Sequence, residues 1–223
     1  LNNVKTILLS EIEDSNLLEA KSKRTNTEYT MKQGYLIVLS APSGTGKTTI
    51  CKELLNRNKK WKFSISATTR EKRANEKDGV DYVFMSKDKF NSHLKFGEFL
   101  ETEWVHGYQY GTLIDPLEDV LDNQEVMILD VDVKGGYNIK DEYQDQVISI
   151  FIEPPGENPG EQLLILEERL TKRGNENSTL IKQRLRRFDN EMSYKKKFDH
   201  HFVNDDLDKV ILEIEKKIKE NLK

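Results

Sequence analysis

Short apolar runs alternate along this chain with segments in which apolar residues recur every three or four positions. Mostly apolar runs without alternation, at 35–40, 126–131 and 147–152, are typical of strands that are buried on both faces. Residues 49–58 and the segment from 207 onward place their apolar side chains on one helical face instead. Because strands and helices alternate, the pattern predicts an α/β fold with a mainly parallel sheet and helices on both of its faces.

Several shorter elements complete this prediction. Ser86 is placed to cap a helix that carries Phe90, Leu94 and Phe96. We expect further strands at 61–66, 97–104 and 200–203, a turn at 107–112, an exposed loop at 157–162, and helices at 163–172 and 178–194.

The stretch after the first predicted strand has the residues of a phosphate-binding loop. It reads Ala41, Pro42, Ser43, Gly44, Thr45, Gly46, Lys47 and Thr48, with Thr49 in the helix that follows. The two glycines let successive backbone N–H groups turn toward a polyphosphate, while Lys47 reaches the outer phosphates and Thr48 can ligate Mg²⁺. The order of strand, loop and helix predicts a Walker A motif that binds ATP with Mg²⁺, although Ala41 stands where the motif usually has glycine. A strand-to-helix turn without a ligand is the alternative.

Composition narrows the class of protein. The 223 residues suit one domain, and a net charge of -4 with 33% charged residues favours neither a nucleic-acid partner nor an acidic tail. Cys51 is the single cysteine, which fits a reducing compartment, and the four histidines lack metal-ligand spacing. No apolar run approaches the ~20 residues of a membrane span. We therefore expect a cytoplasmic protein with no membrane partner and no structural metal.

The segment before Met31 contains Glu11, Glu13, Asp14, Glu19 and Glu28, whereas transit peptides are poor in acidic residues, and it lacks the apolar core of a secretory signal. We interpret 1–33 as an N-terminal extension, either a tail or a packing helix.

Two arginine clusters are candidates for binding anions. Arg70 and Arg73 precede Asp78-Gly79 in a polar stretch, which indicates an anion-binding arm or a solvated hairpin. The second cluster lies between 169 and 187. It could close over a triphosphate, or it could be the charged surface of a helical bundle. Asp130 and Asp132 stand at the carboxyl end of a predicted strand, where an acid can serve a Mg²⁺ shell or a substrate.

In their order, these motifs resemble guanylate kinases from about Gly34 to the C-terminus. Eight blocks carry the resemblance: Ser40 to Thr49, Phe63 to Arg70, Gly79 to Tyr82, Glu98 to Glu101, Tyr110 to Thr112, Ile128 to Asp132, Arg169 to Gly174 and Val203 to Asp205. A phosphate loop alone would indicate only a superfamily, whereas eight blocks in this order are specific.

The resemblance implies a P-loop NTPase-type core with two inserted subdomains. The core would comprise 34–65, 116–160 and 196–223, the GMP-binding subdomain 66–115, and a helical lid 161–195. The GMP phosphate would be bound by Arg70, Arg73, Tyr82 and Tyr110, the guanine by Ser66, Glu101, Thr112 and Asp130, and Glu76 would also belong to the substrate site. Arg169, Arg173 and Arg184 would neutralise the migrating phosphoryl group, and Asn204 would approach the adenine.

The implied activity is transfer of the ATP γ-phosphoryl group to GMP. A carboxylate at Glu101 can accept from guanine N1–H and the 2-amino group, whereas adenine offers neither donor there. Two alternatives are a non-catalytic guanylate kinase-like protein-interaction module and a kinase for another base. We expect the small-molecule substrates ATP and GMP, and a monomer or weak homo-oligomer.

Overall fold

The computed structural model describes residues 33–105, 107–172 and 178–222. The expected extension at 1–33 lies outside the described residues except for Gln33, and so does Arg173.

Nine strands are formed within the described residues. They are β1 Tyr35–Ser40, β2 Lys62–Phe63, β3 Ala67–Thr68, β4 Val83–Phe84, β5 Phe99–Val105, β6 Tyr108–Leu113, β7 Val126–Asp130, β8 Val147–Glu153 and β9 His200–Val203. The central sheet has the order β2-β7-β1-β8-β9 and is parallel at every pairing. A second sheet has the order β4-β3-β6-β5 and is mostly antiparallel. The predicted α/β class with a mainly parallel sheet is confirmed.

The α-helices among the described residues connect and cover these sheets. They are α1 Lys47–Arg57, α2 Lys87–Lys95, α3 Asp115–Asp122, α4 Val133–Tyr143, α5 Pro159–Lys172, α6 Ser178–Leu185, α7 Phe188–Ser193 and α8 Leu207–Asn221. None of them is both long enough and apolar enough to cross a lipid bilayer.

The core lies on both faces of the central sheet. Ile50 and Leu54 of α1 pack with Ile211 and Ile214 of α8 against one face. The residues of α3 and α4 cover the other face in a separate cluster around Phe151. Because every residue of β8 is buried, its sequence is mostly apolar on both faces and does not alternate between apolar and polar residues.

Some local predictions are wrong at their boundaries. Residues 108–113 form a strand instead of a turn, because they pair with β5 along its length. The helix expected from 163 begins at Pro159, where the Asn158 side chain accepts from the Glu161 N–H. The helix expected over 178–194 is divided into α6 and α7.

Two further predictions, on a strand and on a buried side chain, differ from the structure. The strand expected at 61–66 is reduced to β2, and Phe96 follows α2 with 71% of its surface exposed instead of packing beneath it. The Ser86 cap is confirmed, since its side chain accepts from the Lys89 N–H at 3.2 Å.

Candidate active site

The loop between β1 and α1 has a backbone that requires glycine. Gly44 and Gly46 have φ values of 91° and 104°, in the left-handed region that other residues rarely adopt. A Cβ added at Gly46 would lie 2.6 Å from Asn204 Nδ2. The loop is therefore held in one narrow conformation at the amino end of α1, where a helix favours an anion.

Two side chains from the C-terminal half hold the loop backbone. Asn204 is buried and donates from Nδ2 to the Thr45 carbonyl at 2.6 Å. Arg169 donates to the same carbonyl at 3.3 Å and to the Asn204 carbonyl at 2.9 Å. In this structure Asn204 and Arg169 thus contact the loop itself, although the resemblance gave them roles toward adenine and the migrating phosphoryl group.

Lys47, Thr48 and Asp130 form a connected cluster beside the loop. Lys47 Nζ lies 2.8 Å from one Asp130 carboxylate oxygen, and Thr48 Oγ1 donates to the other at 2.7 Å. Burial disfavours both charges, but their mutual attraction outweighs it, raising the pKa of Lys47 and lowering that of Asp130. Asp130, expected near the guanine, is engaged at the phosphate loop here.

The same cluster suits a magnesium ion. A threonine hydroxyl and a carboxylate are hard oxygen ligands, and Mg²⁺ usually takes only one or two protein ligands beside water and phosphate oxygens. Among the described residues, no group of three or more histidine, cysteine, aspartate or glutamate side chains converges as a metal cage. Thr48 and Asp130 therefore fit a metal that arrives with a nucleotide.

A second cavity, of about 370 Å³, opens between the two sheets. Its lining residues include Ser66, Arg73, Tyr82, Glu101 and Tyr110. At its wall Thr112 Oγ1 donates to Glu101 Oε1 at 2.6 Å, which fixes that carboxylate. Burial raises the pKa of Glu101, and the neighbouring Asp132 adds to this effect.

Arg70 is oriented next to this cavity by its neighbours. It donates to both Glu76 carboxylate oxygens, at 2.8 and 3.0 Å, and to Tyr110 Oη at 3.3 Å. Its guanidinium lies 5.3 Å from the centre of the Tyr82 ring. The hydrogen bonds to Glu76 raise the pKa of Arg70, so that its positive charge is secured.

The two cavities meet at three shared residues. The phosphate-loop cavity of about 240 Å³ is lined by residues 41–48 and also by Asp130, Asp132 and Arg184, which line the second cavity as well. Arg184 Nη1 donates to Ser43 Oγ at 3.2 Å. Thr49 lies outside this lining, on the exposed side of the first turn of α1. A group bound in either cavity thus lies close to the other.

Glu103, Arg187 and Glu191 have no specific role in the sequence-based prediction, but all three line these cavities. Glu191 Oε2 accepts from the Ser43 N–H at 3.2 Å, although the two residues are 148 positions apart. The only sequence signal was the four-residue spacing of Arg187 and Glu191, which indicates a shared helix face and no more.

Comparison with known proteins agrees with this geometry. The guanylate kinase family model matches residues 33–221. The guanylate kinase of Chlorobaculum tepidum is 40% identical over 88% of this chain and 98% of its own length, and that of Chlorobium chlorochromatii is 42% identical over 82% and 93%. A crystal structure of guanylate kinase from Anaplasma phagocytophilum matches with a TM-score of 0.65 and 28% identity, covering 86% of this chain and 87% of that one. The chain therefore belongs to the guanylate kinase family.

Proposed function

We propose that this protein transfers the γ-phosphoryl group of ATP to the phosphate of GMP, reversibly and with Mg²⁺, giving ADP and GDP. One observation carries the proposal: the phosphate-loop cavity adjoins a cavity walled by Glu101, and Asp130, Asp132 and Arg184 line both.

The donor side is built to hold a triphosphate. The backbone N–H groups of Gly44, Gly46 and Lys47 and the amino end of α1 favour its anionic oxygens, and the Lys47 side chain supplies a point charge. Thr48 and Asp130 would hold a Mg²⁺ ion that arrives with ATP, and the ion would supply positive charge against the triphosphate. Asn204 and Arg169 keep the loop in shape by bonding the Thr45 carbonyl.

The acceptor side is built to hold a guanine monophosphate. The Glu101 carboxylate accepts from guanine N1–H and the 2-amino group, while Thr112 restrains it. Ser66 lines the same cavity and can donate to the guanine O6. Arg70, Arg73, Tyr82 and Tyr110 bind the GMP phosphate, with Glu76 orienting Arg70.

The transfer itself depends on position and charge more than on covalent catalysis. A GMP phosphate oxygen attacks the γ-phosphorus while the bond to the ADP β-phosphate oxygen breaks. The attacking phosphate is already anionic and needs no strong general base. Arg184 lines both cavities, so its guanidinium is placed to neutralise charge on the group in transit.

This function divides the chain into working parts. We assign 66–115 as the GMP-binding subdomain, 161–195 as the lid and the remainder of 34–223 as the core. Arg173, outside the described residues, belongs to the lid by position. A cytoplasmic location, and a monomer or weak homo-oligomer, remain predictions.

The test is acceptor-dependent ADP formation. The protein is incubated with ATP, Mg²⁺ and either GMP, AMP, UMP or CMP, and ADP is measured by a coupled assay. We expect turnover with GMP and a kcat/KM for AMP that is about 5- to 150-fold lower, because an unmatched buried polar group costs ~1–3 kcal/mol. No ADP with any acceptor would favour the interaction-module alternative, and equal rates with GMP and AMP would refute the role of Glu101.

A further inference from the structure

Arg187, in the turn between α6 and α7, is surrounded by carboxylates from three parts of the fold. Its Nη2 lies 2.9 Å from Glu103 Oε1 on β5 and 3.7 Å from Asp132 Oδ2 after β7. Its Nε lies 3.8 Å from Glu191 Oε1 on α7. One guanidinium thus contacts the second sheet, the segment between β7 and α4, and α7.

Without that guanidinium, two of these carboxylates would repel each other. Burial raises the pKa of Glu103, and the nearby Asp132 adds to this effect. Asp132 cannot turn away easily, because its Oδ1 caps α4 by accepting from the Gly135 N–H at 2.7 Å. Since Glu103 belongs to β5 of the second sheet and Asp132 follows β7 at the start of α4, their repulsion would push the second sheet away from the core.

The same guanidinium is also connected to the phosphate loop through Glu191. Glu191 approaches Arg187 with one carboxylate oxygen and accepts from the Ser43 N–H with the other. Burial raises the pKa of Glu191. The hydrogen bond from Ser43 and, to a smaller extent, the positive charge of Arg187 oppose that rise. Any change at Ser43 on nucleotide binding therefore reaches Arg187 through a single side chain.

We propose that Arg187 is a positioning residue that couples the two nucleotide sites, because the second sheet can approach the core only while Arg187 lies between Glu103 and Asp132. This inference rests on the proposed function, since it assumes that the two cavities hold two nucleotides. ATP in the phosphate loop fixes α7 and Arg187, and this strengthens GMP binding. By linkage, GMP strengthens ATP binding by the same factor.

The experiment measures that factor directly. Calorimetry gives the Kd of GMP for the full chain with and without the non-transferable analogue β,γ-methylene ATP and Mg²⁺. Arg187→Gln is expected to lower the enhancement by about 3- to 10-fold, a modest effect because 49% of the Arg187 side chain is exposed. Arg186→Gln, which removes the same charge one residue away, should leave the enhancement unchanged.

A double variant separates coupling from simple damage. Glu103→Gln removes the repulsion as well as the ion pair, so Arg187→Gln combined with Glu103→Gln should regain most of the lost enhancement. In turnover assays Arg187→Gln should raise KM for GMP while kcat at saturation changes less than about twofold.

Each other outcome counts against the proposal. It is wrong if wild-type protein shows no enhancement, if Arg186→Gln matches Arg187→Gln, or if the double variant recovers nothing. These measurements need no chemistry, so strong coupled binding without any GDP formation would refute the proposed function and leave the coupling intact.

Discussion

Replacing Glu101 with glutamine changes one atom of the side chain that we assign to guanine recognition. In the native protein Thr112 donates to Oε1, which leaves Oε2 and the remaining lone pairs for the base. In Glu101→Gln the amide carbonyl keeps the Thr112 hydrogen bond, so the NH₂ group faces the base. That group then opposes the N–H donors of guanine but matches the N1 acceptor of adenine.

The expected loss follows from the burial of the site. Leaving a buried donor unmatched costs ~1–3 kcal/mol, and the half-buried position of Glu101 favours the lower part of that range. A cost of ~1–2 kcal/mol corresponds to a fall of about 5- to 30-fold in kcat/KM for GMP. The value for AMP should stay constant or rise, so the preference for GMP over AMP shrinks further.

The assay is steady-state ADP formation with each acceptor at fixed ATP and Mg²⁺. Glu213→Gln removes an exposed carboxylate on α8 and serves as a matched control that should keep wild-type kinetics. An unchanged GMP to AMP ratio in Glu101→Gln would refute our assignment of the guanine-facing carboxylate. An equal loss for both acceptors would indicate damage to the phosphate contacts instead.

The same residue gives a pH dependence with a definite sign. Burial raises the pKa of Glu101, so on acidification it takes up a proton at a higher pH than an ordinary glutamate, whose pKa is about 4.3. The protonated carboxyl has lost acceptor capacity, and kcat/KM for GMP therefore falls as the pH decreases. Glu101→Gln should lack this acidic limb, and a limb that persists unchanged would have another origin.

Three further predictions concern the phosphate loop. Lys47→Ala should lower kcat by at least ~100-fold with little change in the Kd of GMP from calorimetry. The control Lys59→Ala should keep the wild-type kcat. Weaker GMP binding with normal kcat in Lys47→Ala would contradict the two-site division. Gly46→Ala should abolish detectable binding of an ATP analogue, because its φ of 104° and the contact with Asn204 exclude a side chain; wild-type affinity would show that the loop is adaptable. Asn204→Ala removes one of the two donors to the Thr45 carbonyl, since Arg169 keeps the other, and should destabilise the protein by about 0.5–1.5 kcal/mol in denaturant unfolding, together with weaker ATP binding. Unaltered stability would mean that the Asn204 bond contributes little.

The elements that sequence predicts best here are those set by local pattern. The buried runs of β1, β7 and β8 and the cap at Ser86 follow from residues next to one another, and the structure confirms them. Gly107 lies in a turn as expected, but residues 108–112 belong to a strand, because pairing with β5 decides their conformation and glycine spacing does not show this pairing.

The site shows the same limit. The sequence places Asp130 and Asp132 at the end of a strand. Which of the two sites each carboxylate reaches, however, depends on how that strand pairs with its neighbour. Leu39 pairs with Asp130, and this brings that carboxylate to Lys47. The contact of Glu191 with Ser43 joins positions 148 residues apart, so no local pattern could predict it.

The central claim is that two nucleotides bind end to end, with GMP in the cavity walled by Glu101. A crystal structure with GMP, β,γ-methylene ATP and Mg²⁺ tests it most directly. We expect guanine N1 and the 2-amino nitrogen at about 3 Å from the Glu101 carboxylate, with the triphosphate enclosed by residues 41–48. A purine monophosphate bound anywhere else, with the Glu101 cavity empty, would contradict the account.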